Sequence, residues 1–290
     1  MITEQFETLS TRDQKSNGWL WLTAPILILL AIAAGSGFFF NKLYRDTPNL
    51  VAQAIGQDVI TLFVALPTLA LSALLAGRGS QRARLIWLGG LVYLVYTYAS
   101  YAFGIRFNPL FLIYVALLGC STYTLIGGLV STDWDGLKEG FTEKTPVKAV
   151  SIFLVVIAVF FYLTWLSETI PASLSGIPPQ SVREDGTPTN VIHVLDMAWL
   201  LPALLVTAVS LWRKQPIGYA LAVALLGNLV LLALAIVGMI VLEARAGDLA
   251  FTPQVTMFGA LFATSLGILI WYMSGLKSFL PSKGRRHVDN

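Results

Sequence analysis

His193 and Asp196 stand three positions apart in the run Asn190-Val-Ile-His-Val-Leu-Asp-Met. In a helix that spacing puts an imidazole and a carboxylate on one face, within reach of each other. A carboxylate beside an imidazole raises its basicity, and such a pair holds or passes a proton near neutral pH. The structural alternative is that both groups are solvated at an interface, or paired with Arg106 to pin a helix end. Asp58, Arg106, Asn108, Glu168 and Glu243 fall at the same end of the long apolar segments, so the polar side chains gather on one side. Tyr93, Thr97 and Tyr101 recur every fourth residue as a hydroxyl-bearing stripe. Such a stripe suits a cavity wall, because a phenol has a flat apolar body and a polar tip. An aromatic belt or interhelical hydrogen bonding accounts for the same tyrosines without a ligand. Arg106, in the tight turn that follows, is placed to close a salt bridge with Asp58 or Asp196, or to offer fixed positive charge to an anionic ligand. The candidate ligand-binding or proton-sensitive set is therefore Asp58, Tyr93, Thr97, Tyr101, Arg106, Glu168, His193 and Asp196.

Other chemistries fail on residue supply. Cys120 is the single cysteine, so neither an intrachain disulfide nor a cysteine-based zinc site can form. His287 lies in the tail on the opposite side, which leaves one histidine among distant carboxylates, short of the convergent set that zinc demands. No nucleotide-binding loop or nucleophile triad is legible, and the sequence names no cofactor. The last apolar segment has no lysine for a retinal Schiff base, and no pair of intramembrane histidines awaits a haem. A formal charge of +3 would raise nucleic acid as a partner for a soluble chain. Here the basic residues concentrate at one set of segment ends, which is topology, and no nucleic-acid partner is expected.

The elements that must position these groups are long and apolar. Of 290 residues, 56% are hydrophobic and 12% charged, and the mean hydropathy is +0.72, so the bilayer is both solvent and partner. Eight segments are predicted to span it, at 19–40, 58–77, 85–104, 109–131, 148–167, 192–212, 217–243 and 253–276. Each matches the roughly 20 helical residues that cross a hydrocarbon core of about 30 Å. The fold expected is an all-α polytopic bundle forming one integral membrane domain. Fourteen of the 19 basic residues fall on the side of the two termini, among them Arg12, Lys15, Arg82, Arg84, Lys283 and Arg285. Five fall on the other, Lys42, Arg45, Arg106, Arg183 and Arg245, which predicts both termini in the cytoplasm. The start does not read as a cleaved signal peptide despite Ala31-Ile32-Ala33, because Glu4, Glu7 and Asp13 outweigh Arg12 and Lys15.

Thr47-Pro48, Asn108-Pro109, Thr145-Pro146 and Thr252-Pro253 each read as an N-cap followed by proline at the first helical position. Leu50, Val51, Ala54 and Ile55 share one face, which predicts a short helix in the outer interface before the chain enters the membrane near Asp58; a simple turn is the alternative. The inner joint 132–147 reads as a solvated loop, and the proline-rich outer joint 168–191 as a lid or mobile loop. Asn228 and the group Cys120, Ser121, Thr122 and Thr124 are deep polar residues for neighbouring helices to satisfy. Gly259, Ala263 and Gly267 form a small-residue ridge, for packing inside the bundle or at a dimer contact.

The layout of the halves 1–145 and 146–290 matches, one helix, an outer joint, a helix opening with an acid, a basic turn and two more helices. That suggests a 4+4 parallel repeat with Asp58 and Asp196 at equivalent depths. The stretches Tyr96-Thr-Tyr-Ala-Ser-Tyr-Ala-Phe-Gly104, Phe107-Asn-Pro-Leu-Phe-Leu-Ile-Tyr114 and Val191-Ile-His-Val-Leu-Asp196 resemble segments of a family of uncharacterised prokaryotic multi-pass membrane proteins. The resemblance covers about a third of the chain and implies a helical membrane fold in a prokaryotic plasma (inner) membrane, without an activity. A transporter or small-ligand binding bundle with an outward-facing polar cavity is expected, and the balance leans away from an enzyme. The alternatives are a membrane-embedded enzyme acting on a lipid or quinone, and a non-catalytic subunit or sensor, with a homo-oligomer or a membrane complex as the setting.

Overall fold

The computed structural model describes residues 18–40, 42–246 and 253–277, without the side chains of 245 and 246. Among these residues eight helices are long and apolar enough to cross a membrane. They are α1 (Gly18–Phe39), α2 (Pro48–Gly77), α3 (Gln81–Gly104), α4 (Phe111–Val130), α5 (Val147–Ser175), α6 (Val191–Trp212), α7 (Pro216–Ala246) and α8 (Pro253–Ser274). The protein is an integral membrane protein of all-α class. Arg12, Lys15, Lys283, Arg285, Arg286, His287 and the Thr252 cap lie outside the described residues, as does the side chain of Arg245.

Two boundaries differ from the sequence reading. The chain does not lie flat before Asp58, because α2 runs unbroken from Pro48 and buries Ala52, Ala54, Gly56 and Gln57 in its first turns. The cause is Gly56, where a Cβ would stand 2.5 Å from the Met239 Cα, so two backbones meet without a side chain between them. The outer joint is also shorter than expected, since α5 continues to Ser175 and a short helix follows at Gln180–Asp185. Gly176 ends α5 with φ +70°, the left-handed position that glycine takes without a Cβ penalty. Of the expected caps, Asn108 accepts the Leu110 N–H at 2.9 Å, whereas the Thr145 hydroxyl donates to the Thr142 carbonyl and α5 starts after Pro146.

Both α2 and α6 widen into a π-turn, at Thr61–Ala65 and Asp196–Leu200, and each turn is followed by Leu-Pro. Proline lacks an N–H and its ring crowds the carbonyl four residues back, so a regular helix would be broken at Pro67 and Pro202. Instead Leu66 and Leu201 donate to the carbonyls of Thr61 and Asp196, five residues back. The Tyr162 hydroxyl, from α5, donates to the Met197 carbonyl inside the second π-turn at 2.9 Å.

The helices form two rings. In one, α1 packs on α2 and α4, and α3 joins α2 to α4; in the other, α6 joins α5 to α7, α8 lies along α7, and α5 and α8 meet only at a narrow seam. The rings join where α7 packs on α2 and α3, and where the first turns of α6 pack on α3. These contacts come in pairs separated by a constant 135 positions. Gly56 meets Met239, and Val191 meets Gly104. Thr142 donates to the Gly275 carbonyl and Lys277 to the Gly140 carbonyl, both at 2.9 Å, around an antiparallel bridge between Phe141 and Leu276. Gly89 packs on Ala224. In this register Asp58 matches His193, and Asp196 matches Thr61. The π-turns and the prolines that follow them obey the same spacing, which sets Asp196 against Thr61 rather than Asp58.

The Gly259 and Gly267 ridge of α8 faces open space, outside the packed interior of the bundle. We expect Gly56→Ala to cost about 1–3 kcal/mol by overpacking against α7, with a matching fall in the thermal unfolding midpoint measured in detergent micelles. Gly35→Ala, at a position with nothing within 4 Å, should leave that midpoint unchanged or slightly raised.

Candidate functional site: a polar cavity beside a buried carboxylate

Glu168 projects from the outer part of α5 and His193 from the first turn of α6. Their Oε2 and Nε2 atoms are 3.5 Å apart. Asn190 caps α6 by accepting the His193 N–H at 3.1 Å and donates to Ser181, whose hydroxyl donates to Glu168 at 2.9 Å. These groups line a cavity of about 470 Å³ together with Gln53, Tyr101, Asp185, Met239 and Gln254. Asp185 is partly buried, which raises its pKa above the ordinary carboxylate value, and the Glu184 charge adds to the effect against the Asn49 hydrogen bond. Gln53, Met239 and Gln254 are shared with an adjoining hollow of about 420 Å³ that includes Glu243.

His193 does not face Asp196. Trp165 stands between them, its ring 4.5 Å from the imidazole centroid and its Nε1–H donating to Asp196 Oδ2 at 2.8 Å. The two groups stand three positions apart on regular helix, but the indole from α5 comes between them and takes Asp196 as its acceptor. The other Asp196 oxygen accepts from the Tyr96 hydroxyl of α3 at 2.8 Å. Asp196 thus has a donor for each oxygen while only 6% exposed. It forms part of the wall of a slot of about 180 Å³ whose other lining is almost wholly apolar, including Phe161, Leu204, Leu229 and Phe258. Trp165 and Ile192 line both the outer cavity and this slot, so one wall is common to the two.

The other predicted residues separate from this hollow. Asp58 lies behind Tyr101 and accepts from the Tyr44 and Tyr101 hydroxyls, the latter at 3.1 Å. Burial first, then the Asp58 charge, hold the Tyr44 phenol protonated far above its ordinary range. Tyr93 and Thr97 face α2, where Gln57 donates to both and Thr61 bonds Tyr93 at 2.8 Å. Only Tyr101 of the stripe reaches the outer cavity, so the stripe is chiefly an α2–α3 contact. Arg106 closes no salt bridge to Asp58 or Asp196. It is exposed in the α3–α4 joint, its N–H bonded to Asp46 at 2.9 Å and its guanidinium to the Arg45 carbonyl. Sequence reading missed Trp165 and Tyr96. The signal for Trp165 was its place one helical turn before Glu168, on the same face of α5.

Trp165→Phe keeps an aromatic wall but removes the donor to Asp196, and should cost about 1–3 kcal/mol, the penalty of a buried acceptor left unpaired. Adding Asp196→Leu should recover part of that loss, a non-additivity that a double-mutant cycle of chemical unfolding in micelles would measure. Compared with protein-family models, curated proteins and solved structures, the chain matches none.

Proposed function

We propose that the chain is a tandem duplication of a four-helix unit, and that its second unit carries an outward-facing binding site for a small ligand, in a transporter or ligand-binding bundle of a plasma membrane. The observation that carries this reading is the pair of hollows that share a wall at Trp165 and Ile192, a polar one at Glu168 and His193 and an apolar slot at Asp196. A mostly apolar pocket with a few fixed polar groups is the usual form of a small-molecule site. The contacts paired at 135 positions support the duplication. The first unit buries Trp87, Tyr98 and Tyr114 in its interior, while the second keeps a hollow, and that divergence favours the second as the binding unit. Glu168 and His193 are the polar pair at the mouth, and Asp196 orients the ligand in the slot. The basic joints on the far side support a mouth facing away from the cytoplasm.

An enzyme acting on a lipid or quinone is the second reading, favoured by the apolar slot. In it Glu168 orients His193 as general base, a role that Asp196 cannot fill from behind Trp165. A copy of this chain or a complex subunit would sit on the open Gly259 and Gly267 ridge of α8.

Cysteine accessibility tests the binding-site reading without knowledge of the ligand. In a Cys120→Ser background, Ser181→Cys at the mouth should react with a membrane-impermeant maleimide applied to the outer face of intact cells, and Leu229→Cys in the slot should react much more slowly. Labelling of Ser181→Cys only after the inner face is opened would overturn an outward-facing mouth.

A further inference from the structure

The slot at Asp196 has a second boundary besides the wall it shares with the outer cavity, the seam between α5 and α8. The α5–α8 seam is the loosest joint of the second ring, and on the slot it is formed by Ile157 and Phe161 of α5 and by Phe258 and Leu261 of α8. Phe161 and Phe258 stack across it with ring centroids 6.2 Å apart, and both side chains are half-buried. Side-chain rotation at such a site is fast compared with helix motion. The volume, about 180 Å³, is close to that of an apolar cavity of ~150 Å³ that admits benzene. It fits a short stretch of hydrocarbon chain.

The mouth above the slot selects the other end of the molecule. Glu168, Asp185 and Glu243 contribute three carboxylates to the two outer hollows, with His193, Gln53 and Gln254 beside them, and no lysine or arginine is among their described lining residues. Trp165 lines both the mouth and the slot, packed between His193 and Phe161. The lining is thus acidic above and apolar below. We infer that the ligand is a cationic amphiphile, an alkylammonium head held at the mouth and a single hydrocarbon tail in the slot, and that the tail enters laterally from the outer leaflet between Phe161 and Phe258. This rests on the binding-site reading above and deepens it.

The test uses full-length protein in phosphatidylcholine nanodiscs, with empty nanodiscs as the blank. Three probes are compared by calorimetry: hexyltrimethylammonium, its tail-less counterpart tetramethylammonium, and hexanesulfonate. We expect hexyltrimethylammonium to bind at least tenfold tighter than tetramethylammonium, and hexanesulfonate to give no saturable binding. In a Cys120→Ser, Phe161→Cys, Phe258→Cys protein, a short bis-methanethiosulfonate bridge across the seam should slow hexyltrimethylammonium binding at least tenfold and leave tetramethylammonium binding unchanged. Reductant should restore the rate in the same sample, which shows that the variant is folded. An unchanged rate with the bridge closed overturns lateral access, and hexanesulfonate binding as tight as the cation's overturns the choice of head group. Failure of all three probes to bind overturns the ligand class, while outer labelling of Ser181→Cys would still uphold the cavity.

Discussion

A carboxylate taken into a bilayer must bring its own hydrogen-bond donors, and the Asp196 side chain finds them on two other helices. Tyr96 reaches it from α3 and Trp165 from α5, at 2.8 Å each. An ionisable group at depth costs about 2.5–3.5 kcal/mol on insertion scales, so its retention in so apolar a setting asks for a purpose. Three helices from both rings meet at this one group. The same indole also packs on His193, so the mouth above and the slot below share a single wall. Any shift of α5 relative to α6 would be felt at both.

The rest of the bundle is built to let those helices approach. α7 is the common neighbour, touching α2, α3, α6 and α8, and it does so over small residues. Gly227 faces Gly89, and Gly238 meets the Gly56 carbonyl with room only for a hydrogen atom in place of a side chain. Within the first ring, Asp58 follows the same rule as Asp196, with two phenols as donors, but aromatic rings from Tyr44, Tyr98, Tyr101 and Tyr114 close around it. One carboxylate is sealed by tyrosine packing, and the other borders a hollow. The contrast lies in the side chains, since both helices carry a π-turn and a proline at matching positions.

The eight spans were legible because hydrophobic length alone sets them, and Pro48 and the basic turn at Arg78 marked real helix ends. The start of the second span was misplaced because Gln53, Gln57 and Asp58 look like an interface in sequence. In three dimensions Gln57 and Asp58 are satisfied by Tyr93, Thr97, Tyr44 and Tyr101, which no local window contains. The His193–Asp196 spacing misled for a related reason. The helix between them is regular, but the intervening indole comes from a residue 31 positions away. Glu168 was recognised as part of the polar cluster, but its imidazole partner depends on how α5 packs on α6, and that is a tertiary fact. Arg106 read from charge alone as a salt-bridge partner or an anion site, whereas Asp46 in a neighbouring joint takes its backbone N–H and the side chain stays exposed.

The most direct measurement is a side-chain-resolution density map of the protein in phosphatidylcholine nanodiscs, collected with saturating hexyltrimethylammonium. The expected density has its head beside Glu168 and His193 and its chain running past Trp165 along the Asp196 slot toward Phe258. A map in which Asp196 turns to lipid or the slot is filled by its own side chains, with the amphiphile absent from that hollow, would contradict it.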